Sequence, residues 1–360
     1  MLALVPAGRA LAVDLADGKL SLNGFGQWAY GNISNKNVYE AATPGGDFGG
    51  GSFALALHAQ VLDRGSIAAQ GRLNRDDGTA NLDWAFAEWR FSDALRFRLG
   101  IVQHPFGISG DVRDIGTLRP FFLLPSGVYG TSGITGEAVD GGAISGALLE
   151  AGSWSLRYDA YFGSLHLPST DPYDKLATGF RPGGTLVPVE DEIDYVAGGR
   201  LLAATPVAGL SFRFSGYATL RNSRAAIAGF SVQYATDQLD LRAEYFFRSE
   251  AGQETGARAY EHAGYLEGSL YLTSHVQAGL RAELYAAHLL GYSGPRPLLD
   301  HRELAATLNY WFAPGFVLKL SGHLIDGNRF AHPVAVDDAI LAGTLERRTV
   351  AVIFGTQFSF

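Results

Sequence analysis

The chain has 360 residues, of which 47% are hydrophobic and 12% aromatic, with 46 glycines, no cysteine and a formal net charge of -8. The lack of cysteine excludes a disulfide framework, a thiolate metal site and covalently attached haem, and no other motif predicts a metal site or a cofactor. The negative charge argues against nucleic acid as a partner. No apolar run is long enough for a membrane-spanning helix.

The first residues do not share the pattern of the rest. Residues 2–12 are apolar and end in Ala10-Leu11-Ala12, which fits the small-residue cleavage site of a secretory signal, although no basic segment precedes it. Residues 1–18 are therefore either the remains of a signal peptide or a disordered terminus. The sequence predicts that 19–360 form one domain.

From residue 19 onward, apolar and polar side chains alternate in short runs, and this period of two places them on opposite faces of strands. The connections between runs alternate between short and long. About sixteen strands are predicted. They lie at 19–30, 53–61, 67–74, 82–91, 95–101, 134–149, 154–162, 195–203, 210–215, 230–234, 239–248, 266–272, 276–285, 304–312, 316–323 and 348–360.

The last of these runs is the most regular. Between Val350 and Phe360 every even position is apolar except Thr356, and most odd positions are small or polar. The run resembles the closing strand of Gram-negative outer-membrane barrels, which commonly ends in phenylalanine. Because an open sheet edge cannot lie in hydrocarbon, we expect this strand to pair with the first one.

These features predict an all-β fold, a transmembrane antiparallel β-barrel of about sixteen strands in the outer membrane of a Gram-negative bacterium. Abundant glycine suits a crowded barrel interior, and abundant Tyr and Phe suit the girdles at the membrane interfaces. A soluble β-sandwich would have far fewer strands. A propeller would repeat roughly every forty to fifty residues, and the sequence has no such repeat.

One stretch, His104 to Ser132, interrupts the alternation after the fifth predicted strand. It contains three prolines and several glycines and has no clean period. Its apolar run, 121–124, would be costly to leave in water, so we expect this third outer loop to fold inward against the wall. Its central charges alternate in sign: Asp111, Arg113, Asp114 and Arg119.

The residues around this stretch resemble the phosphate-selective porin O/P family. The similarity lies in Leu82–Asp93 (LDWAFAEWRFSD), Arg98–Gly107 (RLGIVQHPFG), Arg113-Asp114 and Arg119-Pro120, and it is specific only over 82–129. The resemblance implies a sixteen-stranded homotrimeric porin whose third outer loop enters the lumen. That family lines its constriction with arginine and lysine, whereas this loop also carries aspartates, so phosphate selectivity is not predicted.

The alternation also predicts which charged side chains face the lumen. The third to ninth strands contribute mainly arginines, and the eleventh to fourteenth contribute acids mixed with arginines. A basic wall facing an acidic wall is expected to produce an electric field across the pore, perpendicular to its axis. The candidate lining and constriction residues are Arg72, Arg96, Arg98, Asp111, Arg113, Asp114, Arg119, Arg157, Arg213, Arg242, Glu244 and Arg281. For any single arginine, simple pairing among polar lumen residues remains an equal alternative.

The predicted function is passive diffusion of small hydrophilic solutes, with a bias toward anions, through a lumen narrowed by loop 104–132. The expected partners are outer-membrane lipid, lipopolysaccharide, the solutes and further copies of the chain in a homotrimer. The sequence has no G-x-S-x-G, no H-E-x-x-H and no phosphate-binding loop, so no enzyme is predicted. The alternatives are a non-conducting barrel acting as a sheath or scaffold for a partner protein and, more remotely, a barrel-embedded hydrolase.

Overall fold

The computed structural model describes residues 13–15, 17–75, 78–130, 133–167, 192–221, 224–251, 258–290, 295–332, 338–340 and 342–360. Most of the predicted signal remnant, 1–18, lies outside these residues. Its described part includes a short strand, Val13–Leu15, that pairs antiparallel with residues 20–22. Within the described residues, no helix is long and apolar enough to cross a membrane.

Sixteen long strands form one closed antiparallel barrel, which confirms the predicted fold class. The strands are β1 (Leu20–Ile33), β2 (Asp47–Leu62), β3 (Gly65–Asn74), β4 (Ala80–Ser92), β5 (Leu95–Gln103), β6 (Ala138–Ala151), β7 (Trp154–Leu167), β8 (Glu192–Ala204), β9 (Leu210–Thr219), β10 (Arg224–Ala235), β11 (Leu239–Ala251), β12 (Arg258–Tyr271), β13 (Val276–Leu289), β14 (Asp300–Ala313), β15 (Phe316–Asp326) and β16 (Arg348–Ser359). A two-residue segment, Thr43–Pro44, adds a short parallel pairing to β1.

The barrel closes between its last and first strands, as the regular C-terminal run predicts. The rings of Phe358 and Phe360 lie against Gly26 and Gly24 of β1. A Cβ atom at either glycine would come within 2.2 Å of the facing ring. Glycine is therefore required on this strand because only a residue without a side chain leaves room for the two rings.

The connections alternate in length as predicted except at two places, because the connections between β3 and β4 (75–79) and between β9 and β10 (220–223) are no longer than the turn between β8 and β9 (205–209). Seven short turns link the strands pairwise at one end of the barrel. They join β2 to β3, β4 to β5, β6 to β7, β8 to β9, β10 to β11, β12 to β13 and β14 to β15. The longer loops lie at the other end. Three of these loops matter below: L1 (34–46), L3 (104–137) and L8 (327–347).

The outer face of the barrel is apolar over its whole circumference. Outward positions on β12 and β13, such as Leu266 and Leu280, are each 65% exposed, while their chain neighbours on the inner face are buried. The side chains that face outward and inward are therefore those predicted from the alternation. Apolar side chains exposed in a continuous band suit contact with lipid.

Two details of the strands differ from the sequence prediction. The strand predicted at 82–91 begins earlier, at Ala80, and its register with β3 shifts by one residue at Asp83. The sixth strand begins at Ala138 and not at Ile134, because Ile134 belongs to L3 and is fully buried inside the barrel. Glycine-rich sequence around this position carries too little alternation to fix the start of the strand.

The barrel interior is divided unequally. Apolar residues of L3, including Phe106, Val128 and Ile134, join inward side chains such as Tyr161 and Tyr285 in one buried cluster. We call the wall of β6–β15, with the L3 residues packed on it, the filled half. We call the wall of β1–β3, with the cavity beside it, the open half.

Candidate functional site

The base of L3 is fixed by a buried histidine. His104 directly follows β5, and its ring is fully buried. Its Nε2 lies 2.7 Å from the hydroxyl of Tyr161, and its Nδ1 lies 3.0 Å from the hydroxyl of Thr135. Burial lowers the pKa of His104 to about 3. The ring is therefore neutral near pH 7 and serves as an uncharged anchor.

A buried carboxylate on β11 holds both arms of L3. Glu244 accepts hydrogen bonds from the hydroxyls of Tyr129 (2.5 Å), Tyr265 (2.7 Å) and Ser231 (2.5 Å). It also accepts one from the backbone N–H of Ile108 at 2.8 Å. A carboxylate offers about four acceptor positions, so Glu244 is saturated. Tyr129 and Ile108 both belong to L3, and the carboxylate therefore ties two parts of the loop to the wall.

The middle of L3 is held by donors that project from the filled wall and from the adjoining strand β16. Lys319 on β15 is fully buried, and its ammonium donates to the carbonyls of Gly116 (2.9 Å), Arg119 (2.5 Å) and Phe121 (3.3 Å). Other inward side chains extend this row: Arg242 to Leu118 (3.0 Å), Asn309 to Pro120 (2.8 Å), Gln357 to Phe122 (3.1 Å) and Arg281 to Leu123 (2.8 Å). The loop carbonyls need such partners because this stretch makes few backbone hydrogen bonds of its own.

The acidic wall lies beneath L3. Glu283 accepts the N–H of Gly127 at 2.5 Å, in the short helix Ser126–Tyr129 of the loop. Arg281 is 1% exposed and stacks over the ring of Phe121 at 4.6 Å. The three residues predicted to line the pore on this side, Arg242, Glu244 and Arg281, therefore contact the loop and not the open lumen. Two of the acids on this wall, Glu244 and Glu283, also accept hydrogen bonds from L3.

A cavity of about 140 Å³ remains between L3 and the open wall. Its lining includes Gln27 and Ser52 from β1 and β2, Arg72 from β3, Glu40 from L1, and Arg113, Asp114, Arg119 and Glu137 from L3. Arg72 contacts Asp114 and also pairs with Asp83 at 3.1 Å. Asp114 further accepts a hydrogen bond from Gln70 at 2.7 Å. These bonds fix the loop at the edge of the cavity.

The two loop arginines in the cavity differ in their partners. Arg113 lies 3.4 Å from the carboxylate of Glu137 and also donates to the carbonyl of Tyr129. Arg119 donates to the carbonyl of Arg113 at 2.6 Å and to Gln27 at 3.3 Å. Among the described residues, no carboxylate is in ion-pair contact with Arg119. Arg119 is thus the lining cation whose charge is least compensated.

The remaining candidates lie elsewhere. Asp111 pairs with Arg200 of β8 at 2.6 Å. Four arginines face the lumen close to the short turns, each within the first four residues of its strand: Arg96, Arg98, Arg157 and Arg213. Arg98 pairs with Glu88 at 2.7 Å. None of these four lines the cavity described above. Arg96 and Arg98 on β5 therefore form a group separate from Arg113 and Arg119 of L3.

Several anchoring residues were not singled out from the sequence. Lys319, Asn309, Gln357 and Tyr129 are the clearest cases, and each bonds to L3 or belongs to it. The only sequence signal for the first three is their place on the polar face of a strand. That signal identifies an inward side chain, but it does not say which loop atom it meets.

Comparison with known proteins identifies the fold. No family model matches the sequence, and no curated protein sequence matches it. In-vitro-folded OmpT, an outer membrane protein of Vibrio cholerae, superposes with a TM-score of 0.60 at 12% identity, covering 98% of this chain and all of that one. The anion-selective porin from Comamonas acidovorans gives 0.58 at 12% identity, covering 95% and 99%. Salmonella typhi OmpF in complex with daunomycin gives 0.59 at 10%, covering 97% and 100%.

The chain has a porin-like outer-membrane barrel. Identities this low show the fold alone, and the fold is that of Gram-negative outer-membrane proteins, as predicted. The specific resemblance of 82–129 to the phosphate-selective porin O/P family is not confirmed by these comparisons and stays a prediction.

Proposed function

We propose that this barrel is a passive channel for small hydrophilic solutes, that L3 forms its constriction, and that it favours anions. The observation that carries the proposal is the cavity between L3 and the open wall, with Arg72, Arg113 and Arg119 in its lining. Solutes would pass along this cavity because the filled half is occupied by packed side chains.

The expected anion bias rests on how the charges are paired. Arg72 is offset by Asp83 and Asp114, and Arg113 by Glu137. Arg119 has no ion-pair partner among the described residues, so its positive charge acts on solutes in the cavity. Ion selectivity in a narrow pore follows such fixed charges. The bias is expected to be weak, because the lining holds three carboxylates, Glu40, Asp114 and Glu137, against its three arginines.

The size of the cavity limits the solutes. Its volume of about 140 Å³ favours small solutes. Small inorganic anions and short carboxylates are therefore the expected solutes. A sheath around a partner protein would need a wide lumen, and L3 leaves no room for one. We also propose that the barrel is not an enzyme.

Homotrimerisation is proposed from the resemblance to the phosphate-selective porin family. Native mass spectrometry of the detergent-extracted protein tests it. Three subunits per particle are expected, and a particle with the mass of one subunit would rule out a stable trimer under these conditions.

The channel proposal is tested by reversal potentials in planar bilayers under a salt gradient. Arg113→Gln with Arg119→Gln removes two cavity charges, and Arg96→Gln with Arg98→Gln is the matched control near the short turns. The first pair is expected to move ion preference toward cations by more than the control does. Unchanged reversal potentials in the first pair, or equal shifts in both, would show that L3 does not form the selective constriction.

A further inference from the structure

Three side chains with metal-binding atoms converge on the filled wall behind L3. They are Glu283 of β13 and His301 and Glu303 of β14, and one ligand atom of each lies within 4.8 Å of the others. The strands explain the cluster. Glu283 and Glu303 are directly paired across the two strands, and His301 shares the face of Glu303 because it lies two residues away.

The side chains of this cluster are buried, and three of their polar atoms lack a hydrogen-bond partner among the described residues. His301 is 1% exposed, and among the described residues neither nitrogen of its ring has a hydrogen-bond partner. The Oε2 atom of Glu283 also has none in that part of the chain. Buried polar atoms are nearly always paired, so a group of unpaired ones indicates a ligand-binding arrangement. The Nε2 atom of His301 lies 3.6 Å from Oε2 of Glu303.

The charges around the cluster leave a negative excess. Arg281 lies 2.8 Å from Glu303, 3.7 Å from Glu267 and 3.9 Å from Glu283. One guanidinium therefore faces three carboxylates. Arg242 approaches Glu267 only at 3.9 Å and contacts Asp240 at 2.5 Å. His323 also contacts Glu303, with 3.1 Å between Nδ1 and Oε1. When both imidazoles are neutral, a divalent cation balances the two remaining charges.

We propose that Glu283, His301 and Glu303 bind one divalent transition-metal ion, with Zn²⁺ as the best match. One imidazole nitrogen and two carboxylate oxygens are ligands that suit Zn²⁺, whereas Ca²⁺ and Mg²⁺ prefer oxygen alone. Two tetrahedral ligands on zinc are separated by about 3.4 Å, given metal–ligand distances of about 2.0–2.2 Å. The observed 3.6 Å fits that value.

The site connects the wall to two loops. The other oxygen of Glu283 accepts the N–H of Gly127 in L3 at 2.5 Å. The ring of Phe330 in L8 packs edge-on against His301, with 5.0 Å between ring centroids. A bound metal would fix Glu283 in the position that holds L3. This consequence for the pore rests on the proposed function, whereas metal binding itself does not.

Zinc content of the purified, folded barrel tests the site. The protein is stripped with a chelator, dialysed against Zn²⁺ and then buffer, and measured by elemental analysis. Glu283→Gln removes one ligand charge but keeps an oxygen for Gly127, and His301→Phe keeps the aromatic contact with Phe330. His288→Ala is the control, since His288 is an exposed histidine on the outer face of β13. Wild type and control are expected to keep about one zinc ion per chain, and both site variants to keep less than a tenth of that amount.

Two results would overturn the proposal. Either wild type holds no zinc after dialysis, or both site variants keep as much zinc as the control. If His301→Phe fails to fold, the nearly isosteric Glu283→Gln still decides. If the protein binds zinc but shows no anion bias, the channel proposal fails and the metal site stands. If it shows anion bias but binds no zinc, the metal site fails and the channel proposal stands. X-ray absorption at the zinc edge checks for the expected nitrogen and oxygen ligands.

Discussion

The filled half and the open half of the barrel interior use the same residue types for different purposes. Arg281 in the filled half and Arg72 in the open half are both inward arginines paired with carboxylates. The side chain of Arg281 is 1% exposed, and that of Arg72 is 20% exposed beside the cavity. The difference comes from the loop, because L3 covers the first arginine and borders the second.

This comparison shows that facing inward does not make a residue part of the pore. On the filled wall, Glu244, Lys319 and Arg281 have their hydrogen-bonding atoms directed at L3. On the open wall, Gln27 and Ser52 line the cavity through which we propose that solutes pass. Mutations in the two halves should therefore give different phenotypes, the first changing the position of the loop and the second changing conduction directly.

The largest effect is expected from Glu244→Ala. The change removes four hydrogen bonds to one carboxylate and leaves the hydroxyls of Tyr129 and Tyr265 without it. Each bond to a charged group contributes about 1.5–3 kcal/mol. L3 should detach from β11, and single-channel conductance should rise several-fold with added current noise.

The control for this variant is Glu150→Ala, which removes an exposed glutamate beside a short turn. Its conductance should match that of wild type. If Glu244→Ala also conducts like wild type while the barrel folds, the bonds to Glu244 do not set the position of L3, and the distinction between the halves weakens.

The outer faces of the two halves should respond alike, since lipid does not contact the interior. Leu280 lies on the outer face of the filled half, and Leu57 lies on the outer face of the open half. Both leucines are exposed and lie inside long strands. The variants to compare are Leu280→Arg and Leu57→Arg. Each variant should lose about 2–4 kcal/mol of folding free energy if the site lies near the bilayer midplane. Urea unfolding in lipid vesicles measures the loss. A large cost at one site and none at the other would show that one of these faces does not meet lipid.

A smaller effect is expected from the buried histidine at the base of L3. The pKa of His104 is about 3 in the folded protein and 6.5 ordinarily, so only the unfolded chain binds a proton between these values. The stability that neutral His104 contributes is complete above pH 6.5 and is lost, at about 1.4 kcal/mol per pH unit, as the pH falls toward 3.

His104→Gln tests this linkage. The difference in free energy of unfolding between wild type and His104→Gln, called the gap below, should be largest above pH 6.5 and should decrease as the pH falls. Urea midpoints on both sides of pH 6.5 measure the gap, and the carboxylates common to both proteins cancel in the difference. A gap that stays constant with pH would mean that His104 is free to accept a proton in the folded state.

Much of the fold is predictable from the sequence because barrel strands alternate with a strict period. The pattern from Val350 to Phe360 identifies the closing strand, and the break at His104 identifies L3. Strand starts in glycine-rich or loop-like sequence are not predictable in this way. β2 begins at Asp47, six residues before the start predicted from the sequence. Several of its first residues are glycines, and glycines give no alternation of apolar and polar side chains from which a strand could be predicted.

The site is less predictable than the fold. The alternation correctly places Arg242 and Arg281 on the inner face, yet it cannot show that L3 covers them. The path of an irregular loop depends on which carbonyls meet which donors, as with Lys319 and its three partners. These hydrogen bonds join residues about two hundred positions apart in the sequence, so no local sequence pattern can predict them.

The most direct test of the central claim asks which half conducts. The chain has no cysteine, so single cysteines can be modified selectively. Ser52→Cys lies in the lining of the open-half cavity, and Ser269→Cys lies on the inner face of β12, where the native serine is 4% exposed. A charged methanethiosulfonate reagent added during single-channel recording should reduce the current through Ser52→Cys and leave that through Ser269→Cys unchanged. Block at Ser269→Cys without block at Ser52→Cys would show that solutes cross the half described here as filled, and would contradict the account.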